Sequence, residues 1–577
     1  MTKAEGMEKT GRLSQSGQLR LWPGVVIVVL QWVLRFVIPA IVPDGMIIGI
    51  MGGLLGVIGI AVWWIFFSRA SWQERFGAIL LIIISLYGTS FFLDKSIATA
   101  NMGLMFIIYS TPVMCLALVI WAVTTQNFST PLRRVTMILT ILLASGMWIL
   151  LRTNGMTGEG QHDLAFRWAR TDEERLLAQS GNEKSESVTE KVIEGSSQGW
   201  LGFRGANRDG VVHGVRIRTD WSSKPPLEIW RREVGPGCSS ISVAGNLLFT
   251  QEQRGEFETV SCYDLTNGKP VWKHQDKARF WDAHAGAGPR STPTLSGNRI
   301  YTLGGTGILN VLDAGSGSVI WSRDAANDTG IKPPNWGFSG SPLVLSDMVI
   351  VALAGKLAAY DLATGKPRWF GEDGGSGYSS PQLLNISGVP QVLLMSKAGA
   401  LSVDPTTGKK LWEYSWPLGD RVLQPAILEN RDLLFSEEYK SIRRVSVAMD
   451  GTEWKIRDIW TSNGLKSVFN DQVIHKGFAY GFDGPYLACV NLQDGKPKWR
   501  GGRYQGFTLL LADQDVILVL TEKGEVAIVS ASPEKYSELS RFQAIKGKTW
   551  NHPALAGNIL IVRNSQEMAA FRLPNME

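Results

Sequence analysis

Polar and aromatic side chains recur in the C-terminal two thirds of this 577-residue chain, each shortly ahead of an apolar segment. The set comprises His284, Arg290, Trp336, Tyr378, Arg421, Gln424, Lys466, Asn470, Asp471, Trp550, Asn551 and His552. Aromatic rings stack on planar groups, arginine and lysine bind carboxylates, and asparagine with aspartate can hold a cation or supply a base. The residue types therefore predict a pocket for a planar anionic ligand, provided that the fold brings these distant positions together.

A repeated sequence unit supplies such a fold. Its best copy is residues 360–369, YDLATGKPRW, and further copies begin at Tyr263, Leu312, Val403 and Asn491, with a more divergent one around Asp450. The tryptophans at positions 230, 272, 321, 369, 412, 460 and 499 are 42, 49, 48, 43, 48 and 39 residues apart. In each unit an apolar run predicts a strand, the aspartate bonds the amides of the next turn, and the glycine supplies a positive φ. Periods of this length are typical of a propeller or a solenoid.

The unit resembles the tryptophan-docking repeat, AxDxxTGKxxW, of the propellers named after pyrroloquinoline quinone (PQQ), and the resemblance covers roughly residues 227–574. It implies that each tryptophan packs between neighbouring blades. Eight innermost strands are predicted to begin near Ser239, Ser291, Ser339, Ser379, Val422, Phe469, Phe507 and Asn551. Residues 227–232 can supply the outer strand that the last blade lacks. We therefore expect an all-β, eight-bladed propeller of the quinoprotein type over residues 199–577, closed between its two ends.

The first part of the chain is apolar enough for a membrane domain. Five stretches have the length that a bilayer requires, at about residues 23–43, 45–67, 76–93, 102–122 and 135–151. We therefore expect a cytoplasmic tail over residues 1–22 and a five-span α-helical bundle in the lipid bilayer over residues 23–152. Residues before 152 carry ten Lys or Arg and five Asp or Glu, against 48 and 47 in the remainder. The basic charge thus belongs to the membrane end and gives no reason to expect nucleic-acid binding.

The loop charges predict an orientation. Eight Lys or Arg lie on the side of the N-terminus and two on the other side. The positive-inside rule then predicts a multi-pass protein of the inner membrane, with a cytoplasmic N-terminus and, after an odd number of spans, a periplasmic propeller. Glycines at positions 49, 52, 53, 56 and 59 would let the second helix approach its neighbours closely. Arg35 lies inside the first span, where it either contacts a lipid headgroup or a quinone, or snorkels to the interface.

Residues 153–198 form a polar linker with one predicted element. Thr171 and Glu174 have the spacing of a capping box, so a short amphipathic helix is expected to begin there. The remainder of the linker has the composition of a flexible tether. Residues 200–210, WLGFRGANRDG, resemble the WxxFRGxxxxG segment that precedes many bacterial propellers of this type. We expect this lead-in segment to pack on the propeller.

The positions of the cysteines and the lack of several known motifs exclude some kinds of site. The four cysteines are Cys115, Cys238, Cys262 and Cys489, and the sequence has neither a CxxCH haem site nor a CxxC zinc site. Cys238 and Cys262 fall in the same predicted blade, where they either pair or are buried as small apolar side chains. GxSxG and HExxH are also absent, so no hydrolase motif and no metal ligands are predicted.

The resemblance leaves two classes of function open. The favoured one is a binding or scaffold module similar in fold to the BamB-type assembly factors, which would recognise a periplasmic protein or cell-envelope ligand without a cofactor. Short loops and the lack of a nucleophile motif favour this class.

The alternative is a PQQ-dependent alcohol or sugar dehydrogenase that passes electrons to membrane quinone. Asp471 would be its base, with His552 or His284 in the same role otherwise, and Arg290 or Lys466 would polarise the quinone carbonyl. The remaining cofactor-binding candidates are Trp336, Tyr378, Arg421, Gln424, Asn470, Trp550 and Asn551. The chain departs from the quinoprotein alcohol dehydrogenases in lacking their adjacent cysteines. It offers only Asn470 and Asp471 toward their calcium site.

Overall fold

The computed structural model describes residues 20–42, 45–158, 160–180, 199–416, 419, 421–428 and 432–576. The chain divides into two compact units, Met1–Ala169 and Arg170–Glu577. The first unit is mainly helical and the second is a β-propeller with one short helix ahead of it. Each unit is described by itself below.

The helical unit contains long apolar helices. Four of them are long and apolar enough to cross a membrane, namely Trp22–Ile41, Met46–Phe67, Met105–Thr124 and Thr130–Leu150. The count rises to five if Trp72–Ser90 and Lys95–Gly103, which meet at a bend of 111°, form one broken span. The prediction of an apolar helical bundle is thus confirmed at four to five helices. A β-hairpin of Leu151–Met156 and His162–Phe166, which the sequence pattern did not indicate, follows the last helix.

Close packing of the first two helices depends on the glycines of the second. A Cβ built on Gly56 would lie 2.4 Å from Cγ of Gln31, and one on Gly52 would lie 2.6 Å from Cβ of Leu34. Distances this short do not occur between real side chains, so only glycine permits the observed spacing. The predicted role of this glycine row is confirmed.

The propeller consists of eight four-stranded antiparallel sheets, here called blades 1 to 8, whose strands run in sequence order from the innermost strand outward. Blade 1 comprises Ser242–Ala244, Leu247–Arg254, Phe257–Asp264 and Pro270–Asp276. Blade 2 comprises Thr294–Ser296, Arg299–Leu303, Ile308–Asp313 and Val319–Asp324. Blade 3 comprises Leu343–Leu345, Met348–Leu353, Lys356–Asp361 and Pro367–Phe370. Blade 4 comprises Gln382–Ile386, Val389–Ser396, Gly399–Val403 and Lys410–Tyr414.

The second half of the ring repeats this arrangement. Blade 5 comprises Ala426–Ile427, Leu433–Glu437, Ser441–Asp450 and Glu453–Ser462, and blade 6 comprises Val473–His475, Phe478–Asp483, Tyr486–Asn491 and Pro497–Arg503. Blade 7 comprises Phe507–Leu511, Val516–Leu520, Glu525–Ser530 and Glu538–Gln543, with Val211–Val212 added in parallel to its first strand. Blade 8 comprises Ala554–Ala556, Ile559–Arg563 and Glu567–Arg572, and takes Leu227–Glu233 as its outer strand. The predicted eight blades and their closure are both confirmed.

The innermost strands begin later than the sequence predicts, with the exception of Phe507. The first regular residue of blade 1, for example, is Ser242 rather than Ser239, and that of blade 6 is Val473 rather than Phe469. The residues before these strands instead bond the second strand of their own blade through side chains. Ser239 Oγ accepts the Gln251 amide, and the hydroxyls of Ser291 and Ser379 donate to the carbonyls of Leu303 and Met395. These positions are apolar or small in sequence and therefore look like strand, although side-chain bonds take the place of a backbone ladder there.

A hydrogen bond from a tryptophan indole to a backbone carbonyl recurs between neighbouring blades. The indole Nε1 of Trp321, on the outer strand of blade 2, donates to the carbonyl of Leu362 in blade 3 at 3.1 Å. A Cβ on Gly365, in the same turn, would lie 2.7 Å from that indole. Equivalent bonds are made by Trp230, Trp272, Trp369, Trp460 and Trp499. Blade 5 departs from the pattern, since Trp412 donates to the Gln391 side chain and Gly451 has open space around it.

The short helix Asp172–Ser180 rests on the propeller. Its capping box is formed, because the Thr171 amide donates to the Glu174 carboxylate at 2.8 Å and the Glu174 amide to the Thr171 hydroxyl at 3.0 Å. Glu173 pairs with both terminal nitrogens of Arg279 at 2.8 and 2.9 Å. Leu176 is buried. The predicted helix is confirmed, and it is fixed to the propeller by a bidentate ion pair.

All four cysteines are free thiols. Cys262 is buried in blade 1 among apolar side chains, and Cys238 is half-buried near Arg290. The structure therefore holds no disulfide between Cys238 and Cys262.

Candidate functional site: the axial mouth

The loop face of the propeller carries the segments that run from the outer strand of one blade to the innermost strand of the next. Aromatic and cationic side chains from these segments surround the axis, all of them half-buried except Tyr378, which is buried, and we call this group the mouth. It is formed by His284, Trp336, Tyr378, Phe469, Lys548 and Trp550. Five different segments of the ring thus meet at one opening.

Neighbouring members of the mouth touch one another. The rings of Trp336 and Tyr378 lie 4.8 Å apart with 35° between their planes, and His284 is 6.3 Å from Trp336. Lys548 donates to the His284 carbonyl at 2.9 Å and lies 4.2 Å above the Trp550 ring. Burial lowers the pKa of Lys548. The result is a continuous, mostly aromatic rim that offers ring faces and edges to a partner.

Arg290 was predicted to bind a ligand, but the structure places it in an ion pair. Its Nη2 donates to Oδ2 of Asp282 at 2.5 Å and to the Gly286 carbonyl at 2.7 Å. Its Nε donates to the Trp336 carbonyl at 3.4 Å, and its guanidinium lies 5.2 Å from the Phe280 ring. Arg290 therefore holds the mouth segments together.

Arg421 likewise contacts other groups of the protein. Its side chain is fully buried, lies 4.4 Å from the Trp416 ring and pairs with Glu438 at 3.4 Å. Burial lowers the pKa of Arg421. The Gln424 amide, in the orientation that suits its neighbours, pairs with the Ser380 backbone nitrogen and oxygen at 2.6 and 3.1 Å. Both side chains fasten blade 5 to the rest of the ring.

Three further predicted residues bind protein groups at separate places. Lys466 lies 3.5 Å from Asp483 at the edge of blade 6. Nδ2 of Asn470 donates to the Gly506 carbonyl at 2.5 Å, and Nδ2 of Asn551 donates to the carbonyls of Gly237 and Ser239 at 2.9 and 2.7 Å. The two asparagines thus bridge neighbouring blades, and Lys466 does not join the mouth.

The two predicted catalytic residues do come together beneath the mouth. Nε2 of His552 lies 3.3 Å from Oδ2 of Asp471, and Nε of Arg204 lies 3.7 Å from the same oxygen. Oδ1 of Asp471 accepts the Gln424 backbone amide at 2.7 Å. Only 5% of the Asp471 side chain and 14% of the His552 side chain are exposed.

The charges of this group follow from its surroundings. Burial acts to raise the pKa of Asp471, but Arg204, His552 and the Gln424 amide outweigh it, and the pKa lies below its ordinary value. Burial lowers the pKa of His552 despite the neighbouring carboxylate. At neutral pH the group is therefore an ionised aspartate, an arginine and a neutral histidine.

The lead-in segment closes the axis below this group. Trp200 pairs with Val243 of blade 1, and the Leu201 carbonyl accepts the Leu295 amide of blade 2. Nη1 of Arg208 donates to the carbonyls of Ser341 and Pro381 at 3.0 and 2.9 Å. Burial lowers the pKa of Arg208 to about 10. The expected packing of this segment is confirmed.

Sequence reasoning did not assign Arg204, Arg208, Asp282 or Lys548 to the site. The signal for the two arginines was present in the WxxFRGxxxxG segment itself, since Arg204 is its arginine and Arg208 lies four residues later. Asp282 and Lys548 lie in segments that the sequence did place at the axis. Asp282 bonds Arg290, eight positions away, whereas Lys548 bonds the carbonyl of His284, 264 positions away. Within the described parts of the chain, no three His, Cys, Asp or Glu side chains lie close enough together to hold a metal ion.

Part of the propeller is similar to propellers of the PQQ-like repeat type. Residues 256–501 match the family model described as outer membrane protein assembly factor BamB. Quinohemoprotein alcohol dehydrogenase ADH-IIG from Pseudomonas putida is 28% identical over 159 residues, which make up 26% of this chain and 20% of that protein. The chain therefore spans about a fifth of the length of this curated relative.

Solved structures with a similar arrangement include BamB from Moraxella catarrhalis, with 16% identity and a TM-score of 0.45 over 60% of this chain and 100% of that one. The quinohemoprotein alcohol dehydrogenase ADHIIG from Pseudomonas putida HK5 has 13% identity and a TM-score of 0.49, over 66% of this chain and 81% of that one.

Proposed function

We propose that this protein is a membrane-anchored binding module whose periplasmic propeller recognises a protein or a cell-envelope ligand through the mouth. The observation that supports this function is the division between the rim and the groups below it. The rim presents half-buried Trp336, Trp550 and Phe469 to the outside. Below it, the ionisable groups Asp471, Arg290 and Arg421 are each bonded to protein.

Such a division suits recognition better than catalysis. A general base must reach a substrate proton, but Asp471 is buried, with Oδ1 accepting the Gln424 backbone amide and Oδ2 in ion contact with His552 and Arg204. The half-buried tryptophans of the rim, by contrast, are of a residue type that often carries most of the binding energy at interfaces. We infer that the buried ionic group holds the mouth in shape and that the aromatic rim binds.

The residues present do not fit PQQ with a cation. Trp336 and Tyr378, the two rings expected to stack on a planar cofactor, contact each other. The Asn470 amide is bonded to Gly506, and the Asp471 carboxylate is bonded within its own cluster. We therefore assign no step to this cofactor and regard the dehydrogenase as the less supported function.

Two measurements separate these functions. In the first, the full-length protein in neutral detergent is titrated with PQQ and calcium while its melting temperature is followed. We expect no saturable rise, whereas a rise that saturates near one equivalent would show binding to the folded state and favour the dehydrogenase.

The second measurement locates the binding surface. A photoreactive amino acid is placed in living cells at position 336, in the mouth, or at position 370, where Phe370 is exposed on the outer strand of blade 3. We expect a cross-linked product at position 336 that is lost with Trp550→Ala, and none at 370. Equal products at both positions would contradict a mouth-directed binding function.

Membrane anchoring and orientation are part of the same proposal. The apolar helices and the positive charges on the N-terminal side of the spans support an N-terminus in the cytoplasm. With five crossings the propeller is periplasmic, and with four it is cytoplasmic, so the bent pair Trp72–Ser90 and Lys95–Gly103 decides the side. Protease added to spheroplasts is expected to cleave the propeller, and full protection would mean that the bent pair does not cross.

A further inference from the structure

Arg35 lies in the middle of the first apolar helix of the helical unit, and it points into the bundle. Its side chain is 8% exposed, and its guanidinium lies 4.7 Å from the Tyr109 ring and 5.3 Å from the Phe36 ring. A Cβ on Gly53 would lie 3.2 Å from Cδ of Arg35, so the glycine of the second helix makes room for the side chain. The arginine therefore lies between the helices Trp22–Ile41, Met46–Phe67 and Met105–Thr124.

Snorkelling does not describe this position. A snorkelling arginine lies along the lipid-facing surface with its head in water, whereas Arg35 is enclosed by neighbouring helices. Arg35 is also six residues before the end of Trp22–Ile41, about 9 Å along the axis. Helical side chains lean toward the N-terminus, which takes the guanidinium away from that end.

The charge has no acidic partner in the part of the chain that the structure describes. Nε of Arg35 is buried and has no hydrogen-bond partner among the described residues. The guanidinium lies against the rings of Phe36 and Tyr109, and cation–π contacts do not neutralise a buried charge. A buried cation in an apolar bundle requires an anion or a strong hydrogen-bond acceptor.

The backbone around Arg35 is also unusual. Val33–Val37 is a π-helical turn within the first apolar helix, and such turns occur often at functional sites. The nearby Trp148 Nε1 is a second buried donor without a partner among the described residues. Its ring lies 6.5 Å from that of Tyr109, so both donors flank the same tyrosine. The hydroxyl of Tyr109 donates to the Gly160 carbonyl of the terminal hairpin at 3.3 Å.

We propose that Arg35 is the centre of a binding site for the phosphate group of an anionic membrane lipid. The inference rests on the proposed membrane anchoring. It is supported by a desolvated cation without an acidic partner among the described residues and by a second buried donor, Nε1 of Trp148, near the same tyrosine ring. Phosphate oxygens accept charge-assisted hydrogen bonds from guanidinium groups in two-point geometry, and basic pockets between membrane helices bind such head groups.

Full-length protein in neutral detergent, titrated with dioleoyl phosphatidylglycerol or with dioleoyl phosphatidylcholine, tests the proposal. Melting temperature reports stabilisation, and native mass spectrometry reports lipid that stays bound. We expect the anionic lipid alone to raise the melting temperature, and Arg35→Gln to weaken its binding about tenfold or more. The matched control is Arg134→Gln, which removes an exposed arginine from another helix. Inorganic phosphate is added in parallel and is expected to have no effect at the same concentration.

Each other outcome has a definite meaning. Equal binding of phosphatidylglycerol by the wild type and Arg35→Gln would overturn the proposal, as would equal effects of the two lipids. If inorganic phosphate alone raises the melting temperature, the site binds free phosphate and the proposal of a lipid ligand is wrong.

Asp44 lies outside the described residues, so Asp44→Asn is included as a third variant. If Asp44→Asn destabilises the lipid-free protein and abolishes the difference between wild type and Arg35→Gln, the counter-charge is Asp44 and the lipid site is wrong. If Arg35→Gln does not fold, Arg35→Lys, which keeps the charge but loses Nε, replaces it with the same expected loss of binding.

Discussion

Oδ2 of Asp471 lies 3.3 Å from Nε2 of His552, although 81 residues separate them in the chain. They join segments that lead into blades 6 and 8, and Arg204 of the lead-in segment adds a third element at 3.7 Å from the same oxygen. The contact therefore binds together three parts of the ring at its axis. This is the pair that sequence reasoning proposed as catalytic, and its contacts also tie these segments together beneath the mouth.

Asp471→Asn is expected to destabilise the propeller. The neutral amide leaves Arg204 buried without its counter-charge, which costs about 3–5 kcal/mol in comparable buried pairs. Thermal unfolding of the full-length protein measures the change. The control is Asp347→Asn, because Asp347 forms an exposed ion pair with Arg368 and its loss should cost no more than about 1 kcal/mol. Equal shifts in the two variants would show that the axial pair contributes no more than a surface pair.

Glu258 predicts a pH dependence of stability. Its carboxylate is buried in blade 1 and accepts the Gly305 amide at 3.0 Å and the Thr306 hydroxyl at 3.1 Å. Burial raises its pKa to about 7, from an ordinary value of 4.5. The folded state thus binds a proton more tightly than the unfolded state. This contribution to stability is present below pH 4.5 and is lost as the pH rises to about 7.

Glu258→Gln is expected to remove this dependence. The amide has nearly the same shape and cannot ionise, so the variant should not lose stability through this position as the pH rises. The melting temperature of the variant minus that of the wild type should therefore increase from pH 5 to pH 7.5. A raised pKa of this size corresponds to a few kcal/mol at most, on the order of 3 kcal/mol. Parallel melting curves for the two proteins across that range would contradict the assignment.

The contact between Trp321 and Gly365 can be tested with a matched glycine. Gly365→Ala forces a Cβ to within 2.7 Å of the indole at a φ of +68°, whereas Gly451→Ala has a φ of +62° and open space. Both variants incur the backbone cost of a left-handed alanine, about 1 kcal/mol. We expect Gly365→Ala to lose a further 1–3 kcal/mol or so from overpacking, measured by denaturant unfolding. Equal losses would mean that the indole moves away at no cost.

The close packing of the first two apolar helices can also be tested with a pair of glycine variants. Gly56→Ala places a Cβ 2.4 Å from Gln31, while Gly77→Ala meets nothing within 4 Å. We expect Gly56→Ala to lower the melting temperature of the helical signal in detergent, and Gly77→Ala to change stability by less than about 1 kcal/mol. A neutral Gly56→Ala would show that the helices separate readily.

Closure of the ring depends on pairing between the two ends of the propeller. Glu567–Arg572 pairs with Leu227–Glu233, from Glu567 with Glu233 to Arg572 with Leu227. A chain that stops at Asn564 loses this strand and exposes the edge of blade 8. We expect it to aggregate or to unfold without a cooperative transition, whereas a chain that stops at Leu573 keeps the pairing and unfolds cooperatively. Cooperative unfolding of the shorter chain would show that the ring is stable while open.

The sequence by itself determined the eight blades and the manner of their closure. Each repeat carries its own turn chemistry, such as the aspartate and glycine of residues 361–365, so the strands and hairpins follow from neighbours in the chain. The glycine row of the second apolar helix and the capping box of Thr171 and Glu174 are local in the same sense. The sequence also placed the axial segments at one face, because the repeat order fixes where they lie.

Only the tertiary structure decided what those segments do. Whether Asp471 faces a ligand or Arg204, and whether Arg290 is available or paired with Asp282, depends on which side chains meet at the axis. Arg204 and Asp471 are 267 positions apart, and Asp471 and His552 are 81 apart. A residue's type states which bonds it can form. Its partners are set by ring closure, and burial then raises the cost of leaving any charge unpaired.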